Sequence, residues 1–255
     1  MLKKIHLVAF AALLLLGQGC AKPPATAPAR AAKNALAPSA SRNSAKTVQA
    51  AKTVILSFDA DMTPAMIKKL DSGKIKAYYD QAIIDLLAKE NIPARIFVTG
   101  LFAERYPALI RELAALPNIT IGDHTYDHAS FEPGCYGLAT LKTAKEKIDE
   151  ITKTQALLQQ MTGRAPVYFR YPGSCRTAAD DALVASVGLT IDNGNLTSGD
   201  AFNKSADKIV ATVMAKVEDG SDILFHLGGP NAPATAVALP KIIVGLKDRG
   251  FGFAK

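Results

Sequence analysis

Short apolar runs and stretches of helical spacing take turns along this chain from about residue 53 onward, and that alternation restricts the fold more than any other feature. Runs of strand character occupy 54–58, 94–99, 119–122, 167–170, 189–192 and 222–226, with a last one at 251–254. Between them apolar residues recur three and four apart. Ile83, Ile84, Leu86 and Leu87 make one such face, and Leu109, Ile110, Leu113 and Leu116 the next. The segments 141–161, 182–187, 209–217 and 237–246 follow. Strand–helix–strand repetition builds βαβ units around a parallel sheet. Strands that read as uninterrupted apolar runs indicate a sheet covered on both faces. The whole stretch is one domain's worth of chain.

Polar residues gather at one end of these runs. Asp59 and Asp61 come at the end of the first strand, His124 and His128 after the third, and Arg170 at the end of the fourth. Asp200 lies beyond the fifth, and His226 ends the sixth. The carboxyl ends of parallel strands are where barrels and open α/β sheets assemble their sites. Five strands delivering ionisable groups to one rim are hard to explain as core packing, because each buried charge is costly unless paired or bound to metal. Two imidazoles, a pair of carboxylates and a third imidazole suit a mononuclear metal site with a separate base and acid. The first strand is followed by Asp-Ala-Asp-Met-Thr-Pro, with no glycine-rich fingerprint or phosphate-binding loop, so no nucleotide cofactor is expected.

The N-terminus has a different character. Lys3 and Lys4 precede an apolar stretch from Ile5 to Leu16, and Gly-Gln-Gly-Cys follows. A charged start, an apolar stretch too short to span a bilayer comfortably and a small residue before the cut make 1–20 an export signal. The cysteine after that small residue resembles the lipobox of bacterial lipoproteins, which predicts lipidation of Cys20 and a lipid anchor in the cell envelope, on its periplasmic side. An ordinary cleaved secretory signal is the other reading, and it also gives an exported protein. Residues 21–52 are rich in Ala, Pro, Ser and basic residues and have no acidic residue, the composition of a flexible tether. The domain is then expected over 53–255. Leader and tether also carry the excess charge. They hold eight of the 30 basic residues, which leaves 22 against 23 acidic ones, a net −1. A nucleic-acid partner is excluded, since it would need a basic patch on the domain itself. Apart from Cys20, Cys135 and Cys175 form an even pair in an oxidising compartment. A disulfide between them would tie the loop after His128 to the loop after Arg170.

Taken in order, the motifs of 53–255 resemble those of the polysaccharide deacetylases with a NodB-like domain, carbohydrate esterase family four. The family's Thr-Phe-Asp-Asp-Gly is similar to Ser57-Phe58-Asp59-Ala60-Asp61, and its His-Ser/Thr-x-x-His to the run His124–His128. Arg-x-Pro resembles Arg170-Tyr171-Pro172, Asp followed by an aromatic resembles Asp200-Ala201, and Leu-x-His resembles Leu224-Phe225-His226. None of these is specific alone; their joint order carries the resemblance. It implies a distorted (β/α) barrel with fewer than eight strands. It also implies a divalent metal, usually Zn2+, with Co2+ or Ni2+ as alternatives, that polarises an N-acetyl carbonyl and activates water. The carried-over roles are Asp59 as base, held by Arg170; His226 as acid, tuned by Asp200; and Asp61, His124 and His128 as ligands. Gly173 would offer its N–H to the oxyanion, and Tyr171 would line the substrate path.

The chain departs from the family pattern at several points. The usual second Asp of the first motif is Ala60, and Asp61 stands where Gly is usual. Either Asp61 is the third ligand, since residues two apart on a strand point the same way, or it caps the helix that begins near Thr63-Pro64. Thr197 and Ala201 replace an Asp and an aromatic in the fourth motif, and Asp192 competes with Asp200 for its role. Gly173 removes a usual Tyr. Asp123 and Asp127, beside the histidines, are either partners for an imidazole N–H or solvated loop residues. Without Trp, Tyr126, Phe131 and Tyr171 are either the aromatic rim or packing residues. The expected activity is N-deacetylation of an N-acetylhexosamine polymer, peptidoglycan or a chitin-like glycan. A catalytically silent glycan-binding lipoprotein, suggested by Ala60, Thr197 and Ala201, is the alternative.

Overall fold

The computed structural model describes residues 52–255; the leader with Cys20 and the tether up to residue 51 lie outside the described residues. The chain runs β1 (Lys52–Ala60), α1 (Pro64–Asp71), α2 (Gln81–Lys89), β2 (Ala94–Val98), α3 (Gly100–Arg105), α4 (Pro107–Ala115) and β3 (Ile119–Asp123). It continues with α5 (Ala144–Thr162), β4 (Tyr168–Phe169), α6 (Ala178–Ser186), β5 (Thr190–Ile191) and β6 (Leu196–Thr197). The last elements are α7 (Ala206–Lys216), β7 (Ser221–His226), α8 (Thr235–Asp248) and β8 (Phe251–Ala254). Strand β1 starts one residue inside the expected tether.

All strand pairs are parallel, in the order β5-β4-β3-β2-β1-β7-β6, and β8 pairs with the first part of β1. The sheet curls into an open, distorted (β/α) barrel with seven strands along its path. Its two edges are consecutive in sequence. The short stretch 190–197 pairs with β4 at its start and with β7 at its end. Strand β6 is only two residues long, which is why no apolar run marks it in the sequence. Helices α1 and α3 also escape the spacing pattern. Both are short, and they are set by their caps: Thr63 before Pro64, and Thr99 before Gly100.

Side-chain alternation along the strands explains the interior. Val54, Leu56, Phe58 and Ala60 are at most 1% exposed and join the apolar layer between sheet and helices. Ser57 and Asp59, between them, point into the barrel. Arg95 of β2 and Asp222 of β7 point there too, as their contacts with the groups around Ser57 show. The strands are therefore covered on both faces, but by different layers. The outer layer is hydrophobic and the inner one carries charge, so the reading of uninterrupted apolar strands holds for only one face. A second apolar cluster of Phe131, Ile151, Phe169, Tyr171, Val184 and Leu189 lies beside β4 and β5.

Candidate metal and active site

The barrel mouth gathers Asp59, Asp61, His124, His128, Arg170, Asp200 and His226. Strand β1 brings the first two. Asp59 is level with His226 of β7, and Ala60 faces the outer apolar layer, so Asp61 returns to the same side as Asp59. Asp61 does not cap α1. Thr63 does, its hydroxyl accepting from the Met66 N–H. The Asp61 carboxylate instead faces the imidazoles, with Oδ1 3.4 Å from His124 Nε2 and 3.3 Å from His128 Nε2.

The histidines are held by the tight loop after β3. Thr125 and His128 both take left-handed backbone angles, φ 63° and 65°, which non-glycine residues rarely adopt outside strained functional turns. Asp123 fixes the first turn by accepting from Thr125 N–H, and Glu150 of α5 accepts from the N–H groups of Tyr126 and Asp127. Part of the charged face of α5 thus braces this loop. Neither Asp123 nor Asp127 reaches an imidazole. His124 Nδ1 lies 2.8 Å from the Arg170 carbonyl. A carbonyl only accepts, so Nδ1 carries a proton, and in the neutral ring, the form that binds a metal, Nε2 aims a lone pair at Asp61.

Two acceptors therefore face each other in a buried place. Asp61 Oδ1 and His124 Nε2 are both without a hydrogen-bond partner. Ligand atoms of Asp61, His124 and His128 all lie within 4.8 Å of one another. One carboxylate and two imidazoles, with their lone pairs converging on an unpartnered position, fit a divalent metal and leave coordination positions open. Asp59, Asp61 and His226 satisfy the same distance test. His226 has only one free nitrogen in that grouping, because its Nδ1 bonds the Asp200 carboxylate at 2.8 Å.

The electrostatics follow from these contacts. Burial pushes the Asp61 carboxyl up, but His128, His124 and His226 in their protonated forms outweigh it and hold the group well below the usual carboxylate range; Asp59 and Asp61 in turn raise His124 against its burial. Burial lowers His128. It opposes the charge on His226 as well, yet the bond to Asp200, then Asp61 and Asp59, carry that imidazole up to about 10. Asp200 is 1% exposed and accepts three hydrogen bonds, from His226 Nδ1, from His226 N and from the Thr235 hydroxyl. It is the partner of His226, and Asp192 is not. Arg170 is fully buried, donates to Asp59 Oδ1 at 2.9 Å and to Ser57 Oγ at 2.8 Å, and lies over the Phe97 ring.

Below Arg170 the barrel holds further charges, among them Asp192, whose role the motifs did not reveal. Asp192 accepts from Arg95 at 2.7 Å, and Asp222 accepts from Ser57 Oγ at 2.5 Å while lying 3.7 Å from Arg170. Three carboxylates, Asp59, Asp192 and Asp222, share two guanidinium groups. Burial and the charge of Asp192 push Asp222 up to about 6. The available signal was alternation: Ser57 two places before Asp59, and Asp222 four places before His226.

A cavity of about 420 Å³ opens over Asp59, His128 and His226, with Gly173 on its wall. Tyr171 is not part of it. The Tyr171 ring is 1% exposed inside the second apolar cluster, edge-on to Phe131 and Phe169, and its hydroxyl donates to Asp181. Its expected substrate-lining role is corrected to packing, and the same holds for Phe131. Tyr126 is turned away, its hydroxyl on Glu104 and its ring under Lys153. The aromatic wall comes instead from Tyr136 and Phe202. Cys135 and Cys175 form the expected disulfide, with Cα atoms 6.1 Å apart.

The family model for polysaccharide deacetylases matches residues 46–192. A peptidoglycan-N-acetylglucosamine deacetylase of Bacillus cereus is 29% identical over 172 residues, covering 67% of this chain and 59% of the relative. The chain thus spans less than two thirds of that relative's length. A chitooligosaccharide deacetylase of Bradyrhizobium is 26% identical over 180 residues, covering 66% of this chain and 78% of the relative. A solved family 4 acetyl xylan esterase from Clostridium thermocellum, in complex with a cobalt ion, has a TM-score of 0.62 at 27% identity, covering 80% of this chain and 87% of that one. A family 4 pseudoenzyme from Bacillus anthracis shares the fold, with a TM-score of 0.65 at 18% identity, covering 80% of this chain and 63% of that one.

Proposed function

The chain belongs to the polysaccharide deacetylase family, and we propose that it is a zinc-dependent hydrolase that removes N-acetyl groups from an N-acetylhexosamine polymer of the cell envelope. The observation that carries this reading is the unpartnered, buried pair Asp61 Oδ1 and His124 Nε2, joined by His128 and flanked by Asp59 and His226. Asp61, His124 and His128 would hold the metal, which when bound supplies Lewis-acid polarisation of the acetyl carbonyl and lowers the pKa of a water. Asp59 would take a proton from the attacking water. Arg170 holds and aims the Asp59 carboxylate through its 2.9 Å bond. His226 enters as an imidazolium, kept charged by Asp200, and protonates the departing amine. Gly173, on the cavity wall, would direct its N–H at the developing oxyanion.

Peptidoglycan is the substrate we favour, supported by the activity of the Bacillus cereus relative and by the lipoprotein reading of 1–20. A lipid on Cys20 would hold the domain against the envelope, and the Cys135–Cys175 disulfide is in keeping with an oxidising compartment. Labelling with a radioactive fatty acid, lost in Cys20→Ala, tests the anchor. Mass spectrometry of acetate release from peptidoglycan fragments and chitooligosaccharides, with zinc-loaded protein, tests the activity. No release from any N-acetylated glycan, with metal bound, sinks the enzymatic reading and favours the silent binder.

A further inference from the structure

Two large aromatic side chains stand exposed on the wall of the active-site cavity, and the chemistry above uses neither. Tyr136 is 71% exposed and Phe202 78%, and their ring centroids are 5.7 Å apart. They come from different elements. Tyr136 follows Cys135 in the loop after His128, and Phe202 lies in the short helical turn that starts at Asp200. Exposed apolar surface of this size gathered at one place marks a binding surface more often than scattered single residues do.

Both rings are held out by their surroundings. Tyr136 has a left-handed backbone, φ 49°, a conformation that a residue with a side chain rarely adopts. The residue before it, Cys135, is buried and anchored to Cys175 by the disulfide. The Tyr136 ring rests on Gly173, where a Cβ would come within 3.0 Å of its Cδ2. Phe202 sits two residues after Asp200, whose carboxylate is fixed by His226 and Thr235. The aromatic pair is therefore tied to the oxyanion side of the site through Gly173 and to the acid side through Asp200. Backbone strain held in place by its surroundings is typical of functional sites.

The spacing decides what the pair can hold. A flat group sandwiched between two aromatic faces needs them about 7–8 Å apart, two carbon contacts of about 3.5–4 Å each. At 5.7 Å and an interplanar angle of 38° the rings touch each other and form one bent platform. We propose that Tyr136 and Phe202 form a glycan subsite, on which the apolar C–H face of a pyranose ring neighbouring the reacting sugar lies. This inference rests on the deacetylase reading for its ligand class. The platform borders the same cavity as Asp59 and His226, so a polymer seated on it would present its next unit to them. It would favour oligomers over single sugars.

The test uses zinc-loaded wild type, Tyr136→Ala, Phe202→Ala and Tyr136→Trp, each with the disulfide verified by mass. Calorimetric titration with the tetramer of glucosamine, which has no acetyl group to lose, reads affinity without turnover. Acetate release from N-acetylglucosamine monomer and tetramer reads KM. Each alanine variant is expected to weaken tetramer binding about tenfold and to raise the tetramer KM more than the monomer KM, with Tyr136→Trp retaining affinity. Equal losses for monomer and tetramer, or tetramer affinity kept by both alanine variants, overturn the platform. So does self-association of the wild type that both variants lose while glycan affinity stays, because the pair would then join two copies. Wild type that binds no glycan overturns both readings. Wild type that binds the tetramer but releases no acetate removes the reaction alone, and loss of tetramer binding in the alanine variants then still supports the subsite.

Discussion

Replacing Asp222 by Asn should stabilise the protein above neutral pH, although it deletes a buried charge within 3.7 Å of Arg170 and 3.6 Å of Arg95. Breaking a buried ion pair normally costs several kcal/mol. Here the interior has three carboxylates for two guanidinium groups, and the excess falls on Asp222, which burial and Asp192 push from 3.8 up to about 6. Burial raises Asp192 as well, but Arg170 and Arg95 outweigh it and keep that group ionised. A carboxyl whose folded value is raised binds a proton in the folded chain that the unfolded chain has lost. Its stability contribution is therefore complete below about pH 4 and is lost as the pH rises through about 6. A shift of roughly two units corresponds to about 3 kcal/mol of destabilisation at pH 8. Asparagine reproduces the protonated carboxyl, accepting from Ser57 and offering N–H groups to Asp192, and never ionises. The melting temperature of Asp222→Asn should match wild type near pH 3.5 and exceed it by about 6–12 °C at pH 8. Thermal and urea melts of both proteins at several pH values measure this, and the difference curve isolates Asp222 because the other groups titrate in both. A variant less stable than wild type at pH 8, or a pH-independent difference, refutes the excess-charge account.

Three further outcomes follow from the geometry. Asp61→Ala should reduce bound zinc to near zero by elemental analysis while Asp59→Asn retains it; metal kept by Asp61→Ala would remove that carboxylate from the ligand set. Asp200→Asn takes away the anion that does most to hold His226 near 10. The imidazolium should then lose its proton at lower pH, moving the alkaline limb of the pH–rate profile down by about 1–3 units; an unmoved limb belongs to another group. Cys175→Ser opens a link across 40 residues and should cost up to about 4 kcal/mol in urea melts; no loss would mean the two loops stay packed without it.

The apolar runs made β1, β2, β3 and β7 legible, because long strands must bury a side-chain row and that row leaves a pattern. Strands β4, β5 and β6 are two residues each and leave almost none; Val167–Arg170 and Leu189–Asp192 were visible only as apolar patches around them. The gathering of Asp59, Asp61, His124, His128, Arg170 and His226 was readable because each sits where a parallel strand ends. What Asp61 faces was open in the sequence, since an acidic residue before a helix is as suited to capping as to a metal. Thr63 decides it by taking the cap. The aromatic wall was misplaced because a sequence cannot tell an aromatic on a motif from one beside it. Tyr171 adjoins Arg170 in the chain, but its neighbour's side chain enters the barrel and its own therefore leaves it.

Arg170 shows why this barrel tolerates charge at its centre. Its carbonyl takes the Nδ1 proton of His124 and so turns the Nε2 lone pair toward Asp61, while its guanidinium fixes Asp59. One residue thus sets the tautomer of a metal ligand and the orientation of the base. Those two settings are maintained only if the guanidinium itself cannot move, and a side chain with no solvent exposure must have each donor satisfied inside the protein. The Asp192 carbonyl takes its Nε proton, Ser57 and Asp192 receive from one terminal nitrogen, and Phe97 closes its face. Asp192 and Asp222 are then needed as counter-charges for two arginines, which leaves one carboxylate over. The excess falls on Asp222, which burial and Asp192 push up, and which lies below Arg170 rather than on the cavity wall with Asp59.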